Sequence, residues 1–333
     1  MSGRHQWQAS PIPRAGRCSA AWRCPLLARG TRAEEAWPNR PVRFIVCYAP
    51  GGPTDVLSRL WCAKMAELTG QQFVVENRAG AGGNVGTDAV AKSRPDGYTM
   101  GMANIAPHAI APTLYASLPY DAARDFSFFG GLWQMPNMLV VNKDVPVENI
   151  PELVRLLRAN PGKYSFGSGG SGTSPHLSGE LFAAMTGVQM VHVPYRGSGP
   201  AMLDVVAGRL QLIFDNIPGA IAQARQGTVR PLGVTSAAPS PVAPEVPPIG
   251  RFLPGYDITA WAGACGPAGI PAAVVERISA LSRQALATPE LSGAYLDLGA
   301  TPWWTTPAAL AAFRDAEQAK LAPVIRASGA RVD

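Results

Sequence analysis

The chain predicts an α/β fold of two lobes, each a mainly parallel sheet flanked by helices, joined by two crossover strands. Three observations lead there. From Pro41 onward short apolar runs alternate with stretches of helical periodicity, the pattern of parallel strands covered by helices. Two strand-to-helix turns share one construction, an apolar run that breaks into glycines before a helix. They are Phe44-Ile-Val-Cys-Tyr-Ala-Pro-Gly-Gly-Pro-Thr-Asp55 and Tyr164-Ser-Phe-Gly-Ser-Gly-Gly-Ser-Gly-Thr-Ser-Pro-His176. More than a hundred residues separate them, so each belongs to its own βα unit. Two such units facing across a cleft can hold a small molecule between them.

The elements follow in order. Val42 to Tyr48 reads as a strand, followed by a helix from Asp55 to Leu68 that Gly70 closes, with Thr54 or Asp55 as its cap. Gln72 to Glu76 is the next strand, then a glycine turn at Ala79 to Gly83 and a helix from Val85 to Lys92. Pro95-Asp-Gly97 is a turn before the strand Tyr98 to Ala103. Asn137 to Asn142 reads as a strand leaving the first lobe, because a new βα series begins with the helix Pro151 to Asn160. Tyr164 to Phe166, Val188 to Val193, Leu210 to Phe214 and Arg230 to Val234 are further strands, with a helix from His176 to Met185 after the second glycine turn. Six prolines between Ala238 and Pro254 forbid regular structure there. Tyr256 to Gly266 crosses back, since the helices Ala272 to Ala287, Pro289 to Leu298 and Pro307 to Ala327 need a sheet to cover. The expected division is 1–36 as a leader, 37–140 with 262–333 as a discontinuous first lobe, and 141–261 as the second.

Composition excludes several classes. With 333 residues and 47% hydrophobic content, the chain has ample core for two lobes. The net charge of +6 suggests nucleic acid, but six arginines against Glu34 and Glu35 in the first 36 residues account for +4 of it. No basic patch with interleaved aromatics remains on the folded part. The five cysteines form no C-x-x-C pair, so Cys47, Cys62 and Cys265 are expected as small buried apolar residues. His108 and His192 are isolated and no metal site is expected. No stretch reaches the roughly 20 apolar residues of a membrane span. The leader has the basic residues of a signal peptide, but Arg23 and Pro25 interrupt its apolar run. A misassigned start, a decayed signal and a cytoplasmic protein are the competing explanations, the first being favoured.

The glycine turns carry the chemistry. Backbone N–H groups and the positive end of a helix favour an anion, and glycines let it come close. Gly167-Ser-Gly-Gly-Ser-Gly172 also fits the dinucleotide fingerprint, which makes a nicotinamide- or nucleotide-dependent enzyme the alternative. That fingerprint wants an acid about 20 residues on, and Gln189 to Arg196 holds none. A serine hydrolase is excluded by the absence of G-x-S-x-G around Ser171 or Ser198. His176 is then a capping or bracing histidine. Asp215 ends a strand where α/β sheets bind ligands, and capping the helix at Pro218 is its other reading. Touching a ligand, it would select a hydroxyl or positive group.

Six motifs in one order give a family resemblance: Ala49-Pro-Gly-Gly-Pro-Thr-Asp55, Val75 to Gly86, Pro95-Asp-Gly-Tyr-Thr99, Gly167 to Leu177, Val193-Pro-Tyr-Arg-Gly197 and Phe214-Asp-Asn216. From about Trp37 to Asp333 the chain resembles the Bug-type receptors, the extracytoplasmic solute-binding proteins of tripartite tricarboxylate transporters. The resemblance implies a two-lobed Venus-flytrap of the type II periplasmic binding protein kind. It also implies a carboxylate or related polar anion as ligand, membrane transporter subunits as partners, a periplasmic location, no cofactor and no catalysis. By analogy Pro50, Gly51, Gly52 and Asp55 face one end of the ligand and Ser168, Gly169, Thr173 and Ser174 the other. Asp215 is a further candidate, and Arg78, His176, Tyr195 and Arg196 stand in second rank. A monomer is expected, and a sensor or relic without transport remains the third reading. The proline-rich segment departs from the family pattern at Ala238, Pro248 and Arg251, where altered packing or partner contact is expected.

Overall fold

The computed structural model describes residues 37–332 and, ahead of them, Ser2, Gly3, Gln8 and Ser10; the leader otherwise lies outside the described residues. The described residues 37–332 fall in one compact unit. In it β1 (Val42–Val46), β2 (Phe73–Asn77) and β3 (Thr99–Asn104) pair in parallel, with β1 in the middle. Helix α1 (Pro53–Thr69) follows β1 and α2 (Asn84–Ala91) follows β2. Trp61 of α1 lies fully buried, 5.0 Å from the Phe44 ring and edge-on to Phe73 at 6.1 Å, so this helix is fixed to its sheet by aromatic packing. A π-helical turn, Ala106–Ile110, runs into the short helix α3 (Ala111–Leu114).

The next strand is longer than its sequence suggests. β4 spans Phe126–Asn142, 17 residues in place of the six expected. Its first part pairs with the returning strand β9 (Thr259–Pro267) and with β10 (Thr301–Pro302). Its last part pairs with β7 (Leu212–Asn216) and β8 (Val229–Val234). The change of partner falls at Pro136, which has no N–H to give a ladder. Gly130 and Gly131, which hid the first half from a hydrophobic count, sit at register shifts under residues 303–305. A Cβ on Gly131 would stand 2.4 Å from the Trp303 carbonyl oxygen.

The second lobe adds α4 (Ile150–Ala159), β5 (Ser165–Ser168), α5 (Ser174–Thr186), β6 (Val191–Pro194), α6 (Ser198–Val206) and α7 (Ile217–Arg225). β5 lies parallel between β7 and β6. Phe166, Phe182, Phe214 and Tyr256 are buried together beneath it. The chain then returns through β9, and α8 (Ala272–Leu286), α9 (Pro289–Asp297) and α10 (Pro307–Ser328) cover the first lobe. The full order is β2-β1-β3-β9-β4-β7-β5-β6, with β8 and β10 also on β4. The proline-rich segment carries a single 3₁₀ turn, Ile249–Arg251, and isolated bridges at Ser240–Ala243 and Val234–Pro248. Cys47, Cys62 and Cys265 are buried thiols, as expected of small apolar residues.

Candidate functional site

The parallel strands of both lobes end in loops that lead to helix N-termini, the position where α/β sheets bind ligands. In the first lobe the turn after β1 is built by Asp55. It does not cap α1 as expected: the cap position is Gly52, with no side-chain hydrogen bond, and Pro53 opens the helix. Asp55 is instead buried, and its carboxylate accepts from the Gly51 N–H at 2.9 Å, Arg59 Nε at 2.9 Å and Asn77 Nδ2 at 2.8 Å. Burial alone would raise this carboxyl, but those three donors hold it below its ordinary value. Gly51 sits at φ +85°, a conformation that only glycine adopts freely, so the turn can expose its backbone. A Cβ at Gly51 or Gly52 would meet nothing within 4 Å. Asp55→Ala is expected to lower stability by about 2–4 kcal/mol, because three donors lose one acceptor; urea unfolding with an unchanged m-value would check it.

In the second lobe the glycine loop after β5 rests on a pair of histidines. His176 and His192 stack at 3.9 Å with 23° between their planes. The Gly172 N–H donates to His176 Nδ1 at 3.1 Å, and Ser168 Oγ lies 2.7 Å from His192 Nε2. Burial, reinforced by the neighbouring His176, pushes His192 down to about 3. The Gly170 N–H donates to Ser168 Oγ, and the Thr173 hydroxyl donates back to the Gly170 carbonyl at 2.7 Å. Ser168, Ser174 and His176 are therefore buried under the loop and shape it, while Gly169, Gly170, Ser171 and Thr173 are partly exposed along it. Helix α5 starts at Thr173 with no side-chain cap, leaving N–H groups at the loop.

Beside this loop the backbone N–H groups of Tyr195 and Gly197 donate to the carbonyls of Ser168 and Gly169. Gly169 is so close to α6 that a Cβ would stand 3.1 Å from Ser198 Oγ. Tyr195 turns its hydroxyl to Asp204 at 2.5 Å, and Arg209 holds the same carboxylate. Arg196 is exposed on the turn and Arg78 is paired with Glu76 at 2.6 Å. Asp215 is 3% exposed between the starts of α6 and α7, where Oδ1 accepts from the Asn216 N–H at 2.8 Å. Burial pushes it up to about 6, against hydrogen bonds from Ser198 and Asn216.

The two lobes approach where the turn after β2 meets the second loop. Gly82, at φ +65°, lets its backbone pass so near that a Cβ would lie 3.1 Å from Tyr115 Oη and 3.4 Å from the Ser171 carbonyl. Sequence reasoning named this turn without placing it at the cleft. It also missed Asn137, fully buried at the change of partner along β4, which donates to Ser178 Oγ and accepts from Asn216 Nδ2 at 2.7 Å. A lone Pro-Asn pair in an apolar run was the available signal. Gly51 and Gly52 make no such contact with the second loop, and four surface cavities lie away from both turns, the largest of about 740 Å³ around residues 112–125.

Comparison with known proteins agrees with this geometry. Residues 57–330 match the family model described as the tripartite tricarboxylate transporter family receptor. The protein BugT of Bordetella pertussis is 33% identical over 300 residues, 90% of this chain and 92% of its own. The solved structure of Rhodopseudomonas palustris Rpa4515 with adipate superposes with a TM-score of 0.84 at 34% identity, covering 89% of this chain and all of that one. MatC from Rhodopseudomonas palustris, with bound malate, gives 0.79 at 30% identity over 86% of this chain and 99% of its own. The flytrap architecture, the order of the motifs and the match over most of the chain agree: this protein belongs to the tripartite tricarboxylate transporter receptor family, as a solute-binding receptor of the Bug type.

Proposed function

We propose that the cleft between the turn after β1 and the loop after β5 captures a small carboxylate and presents it to the membrane subunits of a tripartite transporter from the periplasm. The observation that carries this reading is that two uncapped helix starts, at Gly52 and Thr173, sit behind glycine-rich turns at the C-terminal ends of parallel strands. Pro50, Gly51, Gly52 and the first N–H groups of α1 take one end of the ligand. Gly169, Gly170, Ser171 and Thr173, with Ser198 beside them, take the other. Asp55, Ser168, Ser174 and His176 hold these loops in shape, and Arg196 is the cation at the rim. The lobes are 37–140 with 262–333 and 141–261, and the receptor works as a monomer without catalysis.

Each hydrogen bond to a charged ligand contributes roughly 1.5–3 kcal/mol. A few of them, less the ordering cost, give about micromolar affinity. Support for the ligand class comes from the adipate and malate held by the two Rhodopseudomonas relatives. The dinucleotide alternative finds His192, stacked under the loop, where an acid should hold the ribose. Thermal melts of residues 36–333 with adipate, malate, other di- and tricarboxylates, amino acids and NAD test the proposal. A ligand at 100 times its dissociation constant adds roughly 2.7 kcal/mol, so a carboxylate shift with none from NAD is expected, and a shift from NAD alone would overturn it.

A further inference from the structure

Away from the cleft, helix α10 packs against the π-helical turn of the first lobe, and each element carries one buried group that keeps an unused proton. His108 is 0% exposed in that turn and receives the Asn104 N–H at its Nδ1, 3.2 Å away. The lone pair is thus on Nδ1. Burial, and after it the charge of Arg314, pushes His108 down to about 3, so the ring is neutral and its one proton is on Nε2. That Nε2 has no partner among the described residues. Arg314 of α10 is 3% exposed, and its Nε–H likewise has none. Each of these two buried donors is thus left without an acceptor among the described residues, and a buried donor left unmade costs about 1–3 kcal/mol.

Several polar groups nearby are already engaged, and Asp121 and Asp125 line the same cavity as Arg314. The other guanidinium nitrogens of Arg314 go to Gln318 Oε1 at 3.1 Å and to Asp315. Asp121, whose charge bears on Arg314, accepts at Oδ1 from the N–H groups of Ala123 and Arg124 and at Oδ2 from Arg124 Nε. Asp125 accepts from the Asp121 N–H at 2.7 Å. The Tyr120 hydroxyl is engaged with Asn84 and the Pro107 carbonyl. Around His108 stand the rings of Phe126 at 4.8 Å and Phe128 at 5.9 Å, which offer no acceptor for the protons of a water. Arg314 lines the cavity of about 740 Å³ around residues 112–125, which gives a small solute a way in.

We propose that a small monovalent anion of chloride size binds between His108 Nε2 and Arg314 Nε, pinning α10 to the π-helical turn. It accepts both orphan protons and neutralises a guanidinium whose burial is only partly offset by the exposed Asp315. The experiment is a melting series of residues 36–333 at constant ionic strength in which chloride replaces gluconate, an anion too large for the site, together with anomalous scattering from crystals grown in bromide. The melting temperature should rise by roughly 2–4 °C for each tenfold of chloride above its dissociation constant, and a bromide peak should lie between the two side chains. The rise should vanish in His108→Phe. Melting that ignores chloride, a chloride response that survives His108→Phe, or a water without anomalous signal at that point would each overturn the proposal. The bromide measurement uses the unsubstituted protein, so it holds even if the variant fails to fold.

Discussion

Gly52→Val should leave the melting temperature within about 2 °C of the parent and weaken the best carboxylate ligand by about 100-fold or more. Gly52 has φ −76° and ψ 165°, an extended conformation that valine adopts readily, and its Cβ would enter open space. The fold has no reason to object. The space that a side chain fills there lies over the uncapped start of α1, and losing two hydrogen bonds to a charged group amounts to about 3–6 kcal/mol, well beyond the 2.7 kcal/mol of a 100-fold change. Calorimetric titration of both proteins is the measurement, and equal affinity in a folded variant would remove the turn after β1 from the site. Neighbouring substitutions are less clean. Gly51→Val places a β-branched residue at φ +85°, and Gly169→Val crowds Ser198, so each mixes a folding defect with the loss of ligand.

Asp215→Asn should stabilise the free protein at pH 7 by about 1–3 kcal/mol. The unfolded chain releases this proton near the ordinary 3.8, and the folded protein keeps it until about 6. As pH climbs through that window the folded state alone still binds a proton, so stability falls between the two values and stays lower above them. The rise corresponds to roughly 3 kcal/mol, which an amide avoids while still accepting from the Asn216 N–H. The gain should shrink as pH drops below 6 and be gone near 4. Denaturant unfolding of both proteins from pH 4 to 8 measures it, and a variant less stable at pH 7 would show that the carboxylate earns more from its hydrogen bonds than burial takes away.

How much of this was legible depended on whether the cause was local. The helix from Pro53 to Thr69 could be read because Gly70 stops it and its apolar positions keep a helical period, and the strand β1 because a short run of apolar residues, broken only by Arg43, lies buried in the middle of its sheet. The role of Asp55 was misread for the same reason: a cap is a local pattern, whereas the actual bonds reach forward to Arg59 and across to Asn77. The sequence offered Ser168 as a ligand contact and His176 as a bracing residue, without showing what either packs on. Only the parallel pairing of β5 with β6 brings His192 beneath them and turns both inward. The first half of β4 stayed hidden because its glycines are dictated by residues 303–305, some 170 positions away.

That same strand determines how the molecule can move. β4 enters as part of one lobe and leaves as part of the other, with hydrogen-bonded neighbours along its length, while the return path runs from β8 through the proline-rich segment to β9. A rotation of one lobe against the other would therefore twist a continuous ribbon near Pro136, where the ladder drops one rung.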